Sequence, residues 1–442
     1  MTTRWLAAIL AAVLALRALA TAAAESPSAE PTTHPTPQVL ALVRDLTSDQ
    51  FSTRQIAQSK LEQMGEEAAP QLQEMLKDST LSDEAAARIR AALLRIQQGR
   101  QFGPSIITIH CHDAPLAGVL EDFASQAGAD LGVDRPEIRP LIASKKISLD
   151  LDHVDFWTAL RAVENGSGLH AGSGNGNGRM ILGNFDWYQP WRDHARVFGP
   201  CLIAPQSVTW SIIFGPGAQT SSNLSVQLAV MIEPKLRAVG AFAGNWMRQC
   251  VGEKGHDLVR PGPPMNFGGG VRQWYVPLTT NLQVVPGMGR KIAKLKGELA
   301  FDVQTKSELL ELENLSSVHD VTRSAGDNTI TIQTFDMERG QYQLHISIGG
   351  PAASSGRWDI MQNLTSSLEI LDGKDLPLQL ISTSSTSSIG GQMSMTLGYF
   401  ANSPAVGPPK KLRWEITTET RHMTIPFELD DIDLPHAEDE LH

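Results

Sequence analysis

The stretch DAPLAGVLEDFASQAG at residues 113–128 places Leu116, Val119, Leu120 and Phe123 at the three-to-four spacing of a helix with one buried face. Gly128 supplies its stop. Working outward, residues 106–110 form a short β-rich run before the helix, and Leu131 and Val133 are read as a second strand after it. Ile147, Leu149 and Leu151 alternate with Ser148 and Asp150, the period of a half-buried third strand. A second helix is expected from about Asp155, with Phe156, Ala159, Leu160 and Val163 on one face, ending at Gly166 or Gly168. The tract from Gly174 to Gly178 (GNGNG) has the turn chemistry of a hairpin joining residues 169–171 to 180–182. Two helices on a small sheet follow, with Leu120, Phe123, Leu149, Leu151 and Leu160 in the core.

These residues also carry a resemblance. The half-motifs built on Asp113, Pro115, Leu116, Val119, Leu120, Phe123, Ala124, Gln126 and Gly128, and on Leu149, Leu151, Val154, Phe156, Trp157, Ala159 and Leu160, resemble the short N-terminal domain of secretins and TonB-dependent transporters. Residues 105–183 are assigned to it. In those families the domain docks to other envelope proteins, so the resemblance implies docking. The pore and barrel that follow it there have no counterpart in this sequence.

Toward the N-terminus, residues 38–100 show helical periods. Phe51, Arg54, Ala57, Leu61 and Met64 recur before Gly65, and Ala69, Leu72 and Leu76 continue behind Pro70. Ser82 precedes a run in which Ala86, Ile89, Leu93 and Ile96 share a face. The pattern Asp49, Phe51, Arg54, Ala57, Leu61, Gly65 resembles a HEAT-type repeat; only one to two units fit, which implies a small cap and not a binding solenoid. With the module behind it, the combination is similar to a group of uncharacterised exported bacterial proteins.

Residues 25–37 (ESPSAEPTTHPTP) have no apolar period and read as a disordered linker. Residues 1–24 have the layout of a signal peptide: Arg4, the apolar run WLAAILAAVLAL at 5–16, and small residues Ala22, Ala23 and Ala24 at the cut site. The competing reading is a retained anchor, but Arg17 shortens the apolar run below the roughly 20 residues that span a bilayer. The expectation is export to the periplasm or the cell surface, with no transmembrane segment after cleavage.

Beyond residue 183 the pattern is antiparallel β. Alternation is clear at Val208–Phe214, Leu224–Ile232, Leu295–Val303, Tyr342–Ile348 and Met393–Tyr399, and again around Trp414/Ile416 and Ile425/Phe427/Leu429. Residues 382–391 (STSSTSSIGG) and 401–409 read as loops between late strands. The expected fold class is thus an α+β multi-domain chain: a HEAT-like helical segment, a secretin-N-terminal-like α/β module, and two antiparallel β-sandwiches at 197–310 and 311–434. An acidic tail at 435–442 completes it.

The chain has 442 residues and a formal charge of −11, which removal of Arg4 and Arg17 makes two units more negative. No basic stripe is present, so nucleic acid is not an expected partner. Three cysteines, Cys111, Cys201 and Cys250, exclude a disulfide-dense scaffold; one bridge, with Cys201–Cys250 among the three possible pairings, is compatible with an oxidising compartment.

His110 and His112 flank Cys111 and would share a strand face as two metal ligands might, but no third ligand can be named. Asp150, Asp152 and Asp155, and Asp430, Asp431 and Asp433, have the oxygens of a calcium site without the spacing of an EF-hand loop. Gly172-Ser173-Gly174 and the glycine run 268–270 lack the elements that make a nucleophile elbow or a phosphate loop. The remaining candidate is Trp187, Tyr188 and Trp191, either a platform for a sugar or protein partner, or a staple filling the seam before the first sandwich. The expectation is an exported, non-catalytic protein without cofactor or metal, docking to other envelope proteins. Glycan binding is the alternative, and a hydrolase assembled from distant loops is a third reading. An exposed sheet edge would favour docking, an aromatic shelf glycan binding, and a cleft with convergent carboxylates an enzyme.

Overall fold

The computed structural model describes residues 35–77, 81–129, 131, 139–173, 180–183, 194–214, 220–239, 246–260, 274–338, 340–350, 367–386, 392–401 and 403–435. The chain divides after Phe102 into two compact units. The first is helical: α1 (Pro37–Asp45), α2 (Phe51–Met64), α3 (Ala69–Met75) and α4 (Asp83–Phe102). Thr36 caps α1 by accepting from the Val39 amide, and its own amide donates to Oε1 of Gln71 at 2.7 Å. Gln71 is buried and also donates to the Glu67 carbonyl, so this polar side chain tethers the start of α1 to α3. Val39, Leu46, Leu61, Leu72 and Ile89 form the core of the unit. Phe51, expected on the apolar face, is instead 65% exposed; it opens the first turn of α2, and the Arg54 guanidinium lies over its ring.

The second unit begins with β1 (Ile106–Pro115), α5 (Leu116–Ala127), α6 (Arg139–Ser144), β2 (Lys146–Asp155), α7 (Phe156–Ser167), β3 (His170–Ser173) and β4 (Met180–Gly183). β1 and β2 pair antiparallel, as do β3 and β4. Both long helices end on a glycine in the left-handed region, Gly128 at φ 60° and Gly168 at φ 65°, where an L side chain would be strained. Asp155 caps α7 by accepting from the amides of Trp157 and Thr158. Leu120, Phe123, Leu149 and Leu160 are buried and Leu151 packs partly buried against them. The expected strand at Leu131 and Val133 does not form at Leu131, and Val133 lies outside the described residues.

The rest is antiparallel β: β5 (Arg196–Phe198), β6 (Cys201–Phe214), β7 (Thr220–Ile232), β8 (Ala238–Val239), β9 (Met247–Gly252), β10 (Tyr275–Leu282), β11 (Lys291–Glu313), β12 (Val321–Ala325), β13 (Asn328–Glu338), β14 (Gln341–Gly349), β15 (Leu368–Asp372), β16 (Gln379–Thr386), β17 (Gln392–Phe400) and β18 (Pro409–Asp433). One sheet has the order β10-β7-β6-β5, a second β15-β18-β11-β8 with β9 on β11, and a third β12-β13-β14-β17-β16. Ala204, Ala229, Met231 and Trp274 from the first sheet join the core of the α/β module. The third sheet shares its core with Leu368, Ile370, Leu412, Trp414 and Ile416 of the second.

Two expectations change here. The runs around Trp414 and Ile425 are one strand of 25 residues, paired along its length with the 23-residue β11. The boundary expected at residue 310 therefore falls inside β11. Residues 382–386, read as loop, belong to β16 and pair with β17.

Candidate functional site

Three features stand out as places where this fold could act. The first is a cleft of about 990 Å³ between β5–β6 and the C-terminal half of β18. β15 covers β18 only over residues 409–414, so beyond that stretch the strand turns an open side toward β5. Phe198, which lines the cleft, packs against Phe427 of β18 with ring centroids 6.1 Å apart. Glu428 on the wall receives Lys294 at 2.7 Å and Lys296 at 2.8 Å, and these two ammonium groups hold its carboxyl below the usual range. Lys291 stands 3.6 Å from Asp433. The Glu428 carboxyl, paired in this way, stays ionised at neutral pH, which suits recognition of a polar surface better than proton transfer.

The second feature is a buried carboxyl that the sequence reading passed over. Glu233 follows β7 and is 1% exposed. The Ser105 amide lies 3.1 Å from both of its oxygens, the Ser105 hydroxyl 2.7 Å from Oε2, and the Lys235 ammonium 3.6 Å away. Burial pushes its acid up to about 7, while Lys235 and the Ser105 hydrogen bonds pull the other way. The Glu233 amide donates to the Pro200 carbonyl, which also accepts from the Trp157 indole at 3.1 Å.

The third is the outer edge of β16. Exposed edges invite pairing with another chain, and proteins usually blunt them with charge, proline, brevity or a cover. Most edges of the larger sheets are blunted in this way. β5 has three residues and begins at Arg196; β12 carries the exposed Arg323. β10 contains Pro277 and meets Val259 at Leu282. Residues 376–378 lie along β15 through the Leu378 amide to the Ile370 carbonyl, and Leu258 does the same for β9 at Cys250. β16 has no charge and no proline, and among the described strands it pairs only with β17. No charged residue occurs from 376 to 409 in a chain of net charge −11. Gln379 to Ser384 are exposed, including Leu380 and Ile381, with Phe400 on β17 beside Gln379. One bulge, at Ile381, separates the apolar end of the strand from the Ser/Thr ladder.

The candidates from sequence are dispersed. Trp187, Tyr188 and Trp191 lie outside the described residues, as do the GNGNG tract and glycines 268–270. His110 pairs with Asp150, His153 with Asp152, and Asp155 is occupied as the α7 cap, so the first aspartate group is drawn into separate local roles. Among the described residues no group of three or more metal-ligating side chains converges. All three thiols are free, so none of the three pairings left open by the sequence is formed; Cys201 on β6 and Cys250 on β9 are buried in different sheets.

Comparison with protein-family models, with curated proteins and with solved structures gives no match to this chain.

Proposed function

We propose that this chain is an exported, non-catalytic interaction or scaffolding protein of the bacterial envelope, which receives an extended, uncharged segment of another envelope protein along the edge of β16. In this reading residues 38–100 are a HEAT-like cap, residues 105–183 a module like the short N-terminal domain of secretins, and the sheets behind them β-sandwiches. The observation that carries the proposal is the edge itself. It offers a backbone ladder left unpaired among the described residues, an apolar anchor at Leu380 and Ile381, and no charge that would exclude an incoming strand. Export rests on the signal-like residues 1–24. Among the described residues no helix is long and apolar enough to cross a membrane.

The test places a photo-crosslinking amino acid at Ile381 in the exported full-length chain, with Leu309, 59% exposed on β11, as the control position. The expected result is an adduct with a second exported protein at 381 and not at 309, mapped to an uncharged segment and suppressed by Ser384→Lys. Equal labelling at both positions, an adduct insensitive to Ser384→Lys, or none at all, would overturn the proposal.

A further inference from the structure

Ser105 and Glu233 meet where the α/β module touches the β10-β7-β6-β5 sheet, and hydrogens can be counted there. The Ser105 hydroxyl owns one hydrogen but has two acceptors within reach: Oε2 of Glu233 at 2.7 Å and the Ala127 carbonyl, at the end of α5, at 3.1 Å. If Glu233 is ionised, one of these must go without. Either the carbonyl loses its donor, or two oxygens face each other with only lone pairs between them. A proton on Oε2 resolves the conflict: Glu233 donates to Ser105 Oγ, Ser105 Oγ donates to Ala127, and the Ser105 amide serves the carboxyl oxygens.

We propose that Glu233 is a proton-held latch, fastening the α/β module to the four-stranded sheet while its carboxyl carries a proton and loosening as that proton leaves. The joint is well placed for this. Ser105 directly precedes β1, and its carbonyl accepts from the Phe156 amide at the start of α7. Ala127 ends α5, and Glu233 directly follows β7, its amide donating to the Pro200 carbonyl that also accepts from the Trp157 indole. The charged or titratable groups acting on Glu233 are Lys235, from the turn that follows it, and the neutral Cys201 thiol at the start of β6. The module side contributes the uncharged Ser105, a carbonyl and an indole. Opening would bare the apolar seam of Trp157, Ala204, Met231 and Trp274.

The sign follows from burial, which raises the acid from an ordinary 4.5 to about 7. The closed form then binds the proton more tightly than the open one. The latch is fully fastened below the ordinary value and is lost as pH rises through about 7. With these two values the opening equilibrium grows about 70-fold between pH 5 and pH 8.

The experiment follows hydrogen exchange of the Ser105 amide in the full chain across that range, corrected for intrinsic exchange. Protection should fall by tens-fold in the wild type. In Glu233→Gln it should stay flat, because the amide can donate to Ser105 Oγ at any pH. Parallel losses in both proteins would overturn the latch. A direct readout covers the case of a misfolded variant: the Glu233 side-chain carboxyl carbon, followed by NMR in the wild type, should titrate near neutrality. Titration in the ordinary glutamate range would equally overturn it.

Discussion

Gly297 offers a sharp test of how Phe427 is packed between β11 and β5. It sits in β11 opposite Phe427 of β18, next to the point where β9 joins the same strand. The Phe427 ring lies across its α-carbon, so a Cβ built there collides with two ring carbons and comes within 2.8 Å of the Trp246 carbonyl. That carbonyl is fixed by the Glu298 amide, also at 2.8 Å, and cannot easily retreat. Gly297→Ala must therefore move the ring, which packs against Phe198 at 6.1 Å and Trp246 at 6.0 Å. Overpacking costs about 1–3 kcal/mol, and two weakened aromatic pairs add about 0.5–1.5 kcal/mol each, less the roughly 0.5–1 kcal/mol gained by replacing a strand glycine. The expected loss is about 1–5.5 kcal/mol, read from urea midpoints at unchanged slope. In a Phe427→Leu background the same substitution should cost less by about 1 kcal/mol or more, since the obstacle has been removed. An equal cost in both backgrounds would show that the ring is not what Gly297 accommodates, and the packing argument would fall with it.

Leu120→Ala should cost about 2–5 kcal/mol, because Leu120 is 8% exposed within the core of the module; an unchanged unfolding midpoint would refute that placement. Thiol labelling at neutral pH should modify Cys111 alone in the folded chain and all three cysteines after denaturation. Burial pushes the Cys250 thiol up to about 12 and the Cys201 thiol higher still, whereas Cys111 is only half-buried; rapid labelling of Cys201 or Cys250 in the native protein would contradict this.

What could be read from the sequence divides along a physical line. The two long helices of the module were legible because each has its own punctuation, Asp155 capping α7 and Gly128 and Gly168 ending α5 and α7, whereas the short α6 went unread. Strands with one dry face, such as β7 and β14, were legible for a similar reason, since alternation records which side is buried. The middle of β11 was not. The boundary expected at residue 310 follows the polar residues 304–308 (QTKSE), yet Val303 and Glu313 belong to one strand. Across this stretch the strand is held by pairing with residues 416–420 of β18, and Lys306 meets Glu419 at the surface. Neither face is dry there, so no hydrophobic contrast marks a strand that backbone hydrogen bonds nonetheless keep continuous.

The same insensitivity hid both proposed sites. Ser105 and Glu233 are 128 residues apart, and a single polar pair has no period for a sequence pattern to detect. Glu233-Pro234 after a long apolar strand looked like a stop signal, and it is one, but its carboxyl turns back into the protein. β16 was hidden for the opposite reason. Its Ser/Thr run is exposed at Ser382, Thr383 and Ser384, so it carries the composition of a loop while holding register with β17. An edge kept available for a partner has to satisfy conflicting demands. Large apolar groups along it would promote indiscriminate aggregation, and charges would repel an incoming strand. Serine and threonine meet both constraints and favour or tolerate extended backbone, with apolar contact confined to Leu380 and Ile381 at one end. A strand built for docking on these terms resembles a loop until its hydrogen-bonded neighbour is identified.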